Sequence, residues 1–175
     1  GVVKGDAVAL IMPNGIDYVA AWLGISRIGG VAALLNTKLV GQSLAHCLDV
    51  AKPSHIIVAH ELTEMLEGAA PHLKTQAKVW THGDARGERA IDVALAALDD
   101  APLSPEEHGE VAINDRALLI YTSGTTGLPK AASISHRRIL NWGFWFAGLT
   151  GASPQDRLYD CLPLFHSVGG IVAPC

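Results

Sequence analysis

Residues 117–130 carry the sequence ALLIYTSGTTGLPK, in which an apolar stretch runs without a gap into a loop of hydroxyl side chains and glycines. The apolar residues 117–122 are typical of a strand that is buried on both faces of a sheet. Residues 131–135 (AASIS) predict a second short strand rather than a helix. We therefore expect Lys130 to lie on a loop between two strands.

Short apolar runs alternate with helical patterns in the preceding part of the chain, with Pro or Gly at several boundaries. Strands joined through helices by short connections predict βαβ units and a mainly parallel sheet with flanking helices, an α/β fold. Strands are expected at 7–12, 31–35, 56–59 and 78–80, and helices between Asn14 and Gly29, at 42–50 and at 61–69.

Two of these helices have a predicted buried face. Asn14 is expected to cap the first helix, as asparagine side chains often do. Apolar residues recur at helical spacing in both helices and should face the sheet. The predicted buried residues are Ile16, Val19, Ala20 and Leu23 in the first helix, and Leu44, Cys47, Leu48 and Ala51 in the second.

The chain is expected to divide into three parts. Residues 1–80 form the βα repeats, and residues 81–114, which hold 8 of the 17 acidic residues, form a surface excursion with one short helix near 91–98. Residues 115–175 form the phosphate-loop segment. Within it, a helix should begin at Ser135 or His136.

The composition excludes several classes of function. Of the 175 residues, 49% are hydrophobic and 17% are charged, against about 25% charged in an ordinary domain. We therefore expect part of the apolar surface to be buried against a missing remainder, since no uncharged run is long enough to span a membrane. The net charge is −4 without a basic stripe, which argues against a nucleic-acid partner. Three scattered cysteines predict free thiols in a reducing, cytoplasmic compartment and no metal site.

The loop after residue 121 has the chemistry of a phosphate-binding site. Glycines allow the backbone to approach a ligand closely, hydroxyl and N–H groups donate to phosphate oxygens, and Lys130 adds a positive charge. Its spacing, GxxGxPK, differs from the Walker A loop, and Ala131 stands where that loop has Ser or Thr. Both features argue against an ordinary P-loop phosphotransferase. The alternative interpretation is that these residues form a polar surface turn that binds no ligand.

The sequence YTSGTTGLPK resembles the signature loop of the adenylate-forming superfamily, whose pattern residues 119–130 fit throughout. Residues 159–167 (YDCLPLFHS) are similar to a segment of the fatty-acid-transport-protein branch, which comprises long- and very-long-chain acyl-CoA synthetases. Ala131 and the opening GVVKGDAVALIMPN also resemble that branch. The resemblance implies an incomplete N-terminal AMP-binding domain over residues 1–175, with the C-terminal domain absent.

The resemblance also implies an activity and a set of site residues. It implies an ATP-dependent fatty acid:CoA ligase that works through an acyl-adenylate, with ATP, Mg²⁺ and coenzyme A as its small-molecule partners. His166 matches a position at the acyl or adenylate pocket, although a structural histidine is the alternative. Lys130 is the implied catalytic residue, and the implied phosphate-binding residues are Thr122, Ser123, Gly124, Thr125, Thr126, Gly127 and Lys130.

Other side chains leave alternatives open. The helix that begins near residue 136 carries four aromatic side chains that either line an acyl channel or belong to the hydrophobic core. They are Trp142, Phe144, Trp145 and Phe146. The seven histidines other than His166 have no partner spacing and are predicted to be surface or core residues. No protein ligand for the metal can be named.

Three functional hypotheses remain. The first is the fatty acid:CoA ligase, with this chain as a fragment that is inactive alone because the adenosine-binding segments are missing. The second, in the same superfamily, is an aryl-CoA ligase or a fatty acyl-AMP ligase. The third, of another class, is a non-catalytic module that binds nucleotide or fatty acid. A cytoplasmic location is expected, and a peripheral association of the parent protein with a membrane is left open.

Overall fold

The computed structural model describes residues 1–83, 89–104, 107, 110–122, 127–172 and 174. They form an alternation of strands and helices. The strands are β1 (Ala7–Ile11), β2 (Val31–Leu34), β3 (His55–Ala59), β4 (Lys78–His82), β5 (Arg116–Thr122) and β6 (Lys130–Ser135). The helices are α1 (Ile16–Arg27), α2 (Gly41–Ala51), α3 (Thr63–Ala69), α4 (Ile91–Ala96) and α5 (His136–Thr150). Short 3-10 turns at His60–Leu62 and Ala70–His72 flank α3, and a π-helical turn covers Val168–Val172.

The six strands form one sheet in the order β4-β3-β1-β2-β5-β6. All neighbours are parallel except β5 and β6, which are antiparallel. The prediction of a mainly parallel α/β sheet is thereby confirmed. Parallel strands end at a common edge, so the carboxyl ends of β1, β2 and β5 lie together, and β6 begins at the same edge. In open α/β sheets this edge is where ligands usually bind.

Two apolar layers cover the two faces of the sheet. Successive side chains of a strand point to opposite faces, so Val8 and Leu10 pack with α1 and α5, while Ala9 and Ile11 pack with α2 and α3. Because both faces of the central strands are covered, β1 and β2 are apolar throughout, which explains the continuous apolar runs in their sequences.

The predicted buried face of α1 is wrong. Ile16 and Leu23 are 85% and 55% exposed, and the buried residues of the helix are Tyr18, Trp22 and Ile25. Both stripes have helical spacing, so periodicity did not separate them. The observed stripe carries the two large aromatic rings, whose burial removes more apolar area from water. In α2, by contrast, the predicted residues Leu44, Cys47 and Leu48 are buried.

The segment between β4 and β5 lies mainly at the surface in its described parts. It contains α4 and contacts the edge strand through an isolated bridge between Thr81 and Ala90. None of the helices in the described ranges is both long and apolar enough to cross a bilayer.

Candidate functional site

A hairpin of β5 and β6 holds the predicted phosphate-binding loop. Thr122 pairs with Lys130 at the last rung of the ladder. Lys130 is therefore the first residue of β6, and the prediction that it lies on a loop is wrong, because its backbone pairs across the hairpin. Its side chain is exposed. Gly127 has a φ of 143°, a conformation that residues with a Cβ rarely adopt. The predicted residues Ser123, Gly124, Thr125 and Thr126 lie outside the described residues.

Helix α2 makes hydrogen bonds to both sides of this loop. The Nε2 atom of His46 donates to the carbonyl oxygen of Pro129 at 3.0 Å. The hydroxyl of Tyr121 donates to the carbonyl oxygen of Cys47 at 2.8 Å. His46 was predicted to be an ordinary surface or core histidine, and no spacing in the sequence marks its contact with a residue 83 positions away.

A cavity of about 660 Å³ opens between the loop hairpin, the end of β2 and the start of α5. It lies within the size range of small-molecule sites. Thr122 and His166, which belong to two separate motifs of the sequence, both line it. The other lining residues are Leu34, Asn36, Leu39, Ile120, Tyr121, Pro129, Ala132, Ser133, Ile134, Arg138, Trp142, Phe165 and Ser167. The exposed Lys130 is not among these residues.

His166 is exposed at the mouth of this cavity. Its backbone is fixed, since its N–H donates to the carbonyl oxygen of Pro163 at 3.0 Å and its own carbonyl accepts from the N–H of Gly170 at 2.6 Å. The N–H of Val168 lies 3.5 Å from Nδ1, at the long limit of a hydrogen bond. If Nδ1 accepts there, the neutral ring carries its proton on Nε2, which is then a donor.

Asn14 holds the segment that carries His166. Its Nδ2 donates to the carbonyl oxygen of Leu162 at 2.7 Å, and its Oδ1 accepts from the N–H of Leu164 at 2.9 Å. The predicted capping role of Asn14 is therefore wrong: α1 has Gly15 at its N-cap and no side-chain capping bond. The amide is engaged with a distant backbone instead.

A pair of glycines lies against the same backbone. A Cβ at Gly169 would lie 2.6 Å from the carbonyl oxygen of Pro163, and one at Gly170 would overlap the carbonyl oxygen of Leu164. Any larger residue would push the segment away from the π-helical turn at Val168–Val172. Asn14 and these glycines together fix the backbone before His166.

The four aromatic residues of α5 have different environments. Trp142 is half-buried, lines the cavity and lies 4.7 Å from the guanidinium of Arg138. Phe146 is half-buried, whereas Phe144 and Trp145 are 73% and 61% exposed. Trp142 is thus the aromatic residue of this group that forms a wall of the site.

Two titratable groups between α2 and β5, the Cys47 thiol and the Tyr121 hydroxyl, have raised pKa values. Burial raises the pKa of the Cys47 thiol to about 11 and also raises the pKa of Tyr121, with a smaller contribution from Cys47. Both groups are therefore neutral near pH 7.

The described lining of the cavity offers hydroxyl, amide, imidazole and guanidinium groups and no carboxylate. Such donors suit an anion. They do not suit Mg²⁺, which prefers carboxylate oxygens, and the described residues contain no cluster of His, Cys, Asp or Glu that could hold a metal.

Comparison with protein families matches residues 1–174 to the AMP-binding enzyme family. Long-chain fatty acid transport protein 6 of Mus musculus is 37% identical over 173 residues, which cover 97% of this chain and 28% of that protein. Long-chain fatty acid transport protein 1 of Homo sapiens is 34% identical over 178 residues, which cover 98% of this chain and 27% of that protein. The chain thus spans less than a third of the length of these relatives.

Several solved structures share the fold. ATP-bound MatB from Rhodopseudomonas palustris superposes with a TM-score of 0.83 at 28% identity, over 99% of this chain and 33% of that one. A putative long-chain-fatty-acid CoA ligase from Rhodopseudomonas palustris CGA009 has a TM-score of 0.84 at 25% identity, over 99% of this chain and 42% of that one. The anthranilate CoA ligase AuaEII in complex with anthranoyl-AMP has a TM-score of 0.86 at 24% identity, over 98% and 33% of the two chains, and indicates the fold alone.

Proposed function

We propose that this chain, which belongs to the AMP-binding enzyme family, is part of an ATP-dependent fatty acid:CoA ligase. In that ligase it provides the phosphate-binding loop and part of the acyl-adenylate pocket. The observation that carries the proposal is that Thr122, which begins the loop, and His166 of the second motif line the same cavity. In this proposal residues 1–175 are the incomplete N-terminal part of a longer enzyme.

The proposed reaction has two half-reactions. The carboxylate of the acid attacks the α-phosphorus of ATP, an acyl-phosphate bond forms, and pyrophosphate leaves with the negative charge of the broken bond. The thiolate of coenzyme A then attacks the acyl carbon and displaces AMP. Catalysis of the first step requires positioning and stabilisation of the developing charge.

The residues of the chain have distinct proposed roles. The hydroxyl of Thr122 and the donors of Ser123, Gly124, Thr125, Thr126 and Gly127 hold the β- and γ-phosphates. Lys130 lies across the ladder from Thr122 and has an exposed side chain; its proposed role is to neutralise charge on the leaving pyrophosphate. His166 donates from Nε2 to the acyl-phosphate end of the site. Mg²⁺ would accompany ATP, and the described residues are not proposed to ligate it.

A fatty acid is the proposed acid. The relatives that are 37% and 34% identical are fatty acid transport proteins by name. The side chains of Trp142 and Phe165 give the cavity an apolar part of its wall, beside the guanidinium of Arg138. An aryl acid is the alternative acid, and a carrier-protein thiol in place of coenzyme A is the alternative acceptor. The enzyme is proposed to act in the cytoplasm, and a peripheral association of the parent protein with a membrane is the alternative location.

Acid-dependent exchange of pyrophosphate into ATP tests the first half-reaction in the full-length protein that contains this chain. Acids of graded chain length and aryl acids are compared in the wild type, in K130A and in T125A. K74A is the matched control because Lys74 is exposed and borders a different cleft. We expect exchange to peak with long chains, to fall at least about tenfold in K130A and T125A, and to be unchanged in K74A.

Other outcomes separate the alternatives. Exchange that peaks with aryl acids would favour the aryl-CoA ligase, and exchange without transfer to coenzyme A would favour the acyl-AMP ligase. A folded full-length protein that binds ATP or fatty acid without exchange would be a binding module. The 175-residue chain alone is expected to show no thioester formation.

A further inference from the structure

We infer that His46 is a positioning residue for the phosphate-binding loop, acting through its hydrogen bond to the carbonyl oxygen of Pro129. The inference rests on the proposed function of that loop. His46 does not line the cavity, so it acts through the backbone and not on a substrate.

The geometry places two anchors on consecutive residues of α2. The side chain of His46 binds the loop side that leads into β6, at Pro129. The carbonyl of Cys47 binds the side that leaves β5, at the Tyr121 hydroxyl. Tyr121 directly precedes Thr122, and Pro129 directly precedes Lys130. Thr122 and Lys130 are the last pair of the β5–β6 ladder. A single helix therefore holds both sides of the loop.

The helix that carries the anchors is rigidly seated. Leu44, Cys47 and Leu48 of α2 are fully buried against the sheet, whereas His46 and Tyr121 are half-buried at its margin. Hydrogen bonds from such a helix tie Pro129 and Tyr121 to the core, so less conformational entropy is lost when a ligand binds. A ligand-binding loop held in this way is pre-organised.

The backbone of Pro129 has only one group that can form a hydrogen bond, its carbonyl oxygen. Proline has no N–H, so only its carbonyl can hold it by a backbone hydrogen bond, and His46 occupies that carbonyl. A carbonyl oxygen only accepts, so the Nε2 atom of His46 carries a hydrogen. Loss of this donor would free the residue that directly precedes Lys130 and would change the direction from which the lysine approaches a phosphate.

The test compares two variants of similar length in the full-length protein. H46Q retains an N–H donor at about the reach of Nε2, and H46M retains the length and apolar contacts without a donor. The measurements are KM for ATP and kcat in pyrophosphate exchange, the thermal midpoint, and amide hydrogen exchange of peptides that cover residues 119–131. Y121F, which removes the other anchor, is measured in parallel.

We expect H46M to raise KM for ATP by roughly three- to tenfold, as loss of one hydrogen bond would, and to speed hydrogen exchange in residues 119–131 but not in the peptides of β1 and β3. H46Q should restore both values to near those of the wild type. Equal KM and equal local exchange in H46M and H46Q would overturn the inference, as would a fall in thermal midpoint in H46M without any local change at the loop.

The two proposals fail separately. If the wild type exchanges no pyrophosphate with any acid, the proposed ligase function is wrong, but the hydrogen-exchange comparison of H46M with H46Q still decides whether His46 anchors the loop. If the wild type is active and the two variants behave alike, the ligase function stands and the role of His46 is wrong.

Discussion

The Oδ1 atom of Asn14 accepts a hydrogen bond at 2.9 Å from the backbone N–H of Leu164, across 150 positions of the sequence. The Nδ2 atom of the same amide donates to the carbonyl oxygen of Leu162. One side chain thus pairs with the backbone on both sides of Pro163, much as a neighbouring strand would. This ties the end of β1 to the segment that places His166 at the cavity.

Replacement of Asn14 should destabilise this segment. N14A removes both hydrogen bonds, and we expect a loss of about 1–2 kcal/mol in the free energy of unfolding, with weaker pyrophosphate exchange in the full-length protein. N14D should cost at least as much, because its second oxygen would face the carbonyl of Leu162 and both would be acceptors. Urea unfolding measures the change.

Asn141 provides the matched control for Asn14. It is exposed on α5, so N141A should leave the stability and the exchange rate near those of the wild type. Wild-type stability in both N14A and N14D would show that the two hydrogen bonds do not contribute.

Replacement of Trp142 should weaken the binding of the acid and leave the binding of ATP nearly unchanged. Trp142 lines the cavity, so W142A enlarges the site and removes apolar contact area. We expect KM for the preferred acid to rise by about tenfold, as loss of one hydrophobic contact would cause, and KM for ATP to stay within about twofold. F144A is the control, because Phe144 lies two residues away and is 73% exposed. Identical acid profiles in W142A and F144A would contradict a role of Trp142 in the pocket.

The two described cysteines should differ in reactivity. Cys161 is exposed and Cys47 is buried, and burial raises the pKa of the Cys47 thiol to about 11, so little thiolate exists near pH 7. Iodoacetamide should label Cys161 in the native protein and Cys47 only after denaturation, as peptide mapping by mass spectrometry would show. Labelling of both cysteines at similar rates in the native protein would contradict the seating of α2 against the sheet.

His136 should make stability depend on pH. Its Nε2 is buried without a hydrogen-bond partner among the described residues, and burial lowers its pKa, with Asp115 opposing the effect. The unfolded chain then binds the proton more readily than the folded one, so stability should fall as pH drops from about 7.5 to 5.5, through the usual histidine pKa of about 6.5.

The H136Q variant checks this dependence on pH. Urea midpoints at the two pH values should differ less in H136Q than in the wild type. Part of the difference should remain, because burial also lowers the pKa of His55. H72Q, at an exposed histidine, should keep the wild-type difference. An unchanged difference in H136Q would contradict the assignment.

Local patterns in the sequence were enough to predict the mainly parallel sheet, the helices of the first 80 residues and the two strands that flank the loop. The antiparallel pairing of those two strands was not predicted. An apolar run such as residues 117–122 has the same meaning wherever its neighbours lie, because a strand covered on both faces must be apolar throughout. The two motifs that line the cavity were also recognisable in the sequence, since each is a continuous stretch.

The contacts that assemble the site depended on the tertiary structure. The sequence spacing of Asn14 and Leu164, or of His46 and Pro129, carries no signal, because hydrogen bonds between distant residues form only after the strand order has placed β2 beside β5 and the end of β1 beside residues 162–164. The buried face of α1 was decided in the same way. Two stripes of the helix had the required period, and packing against the finished sheet selected the one with Tyr18 and Trp22.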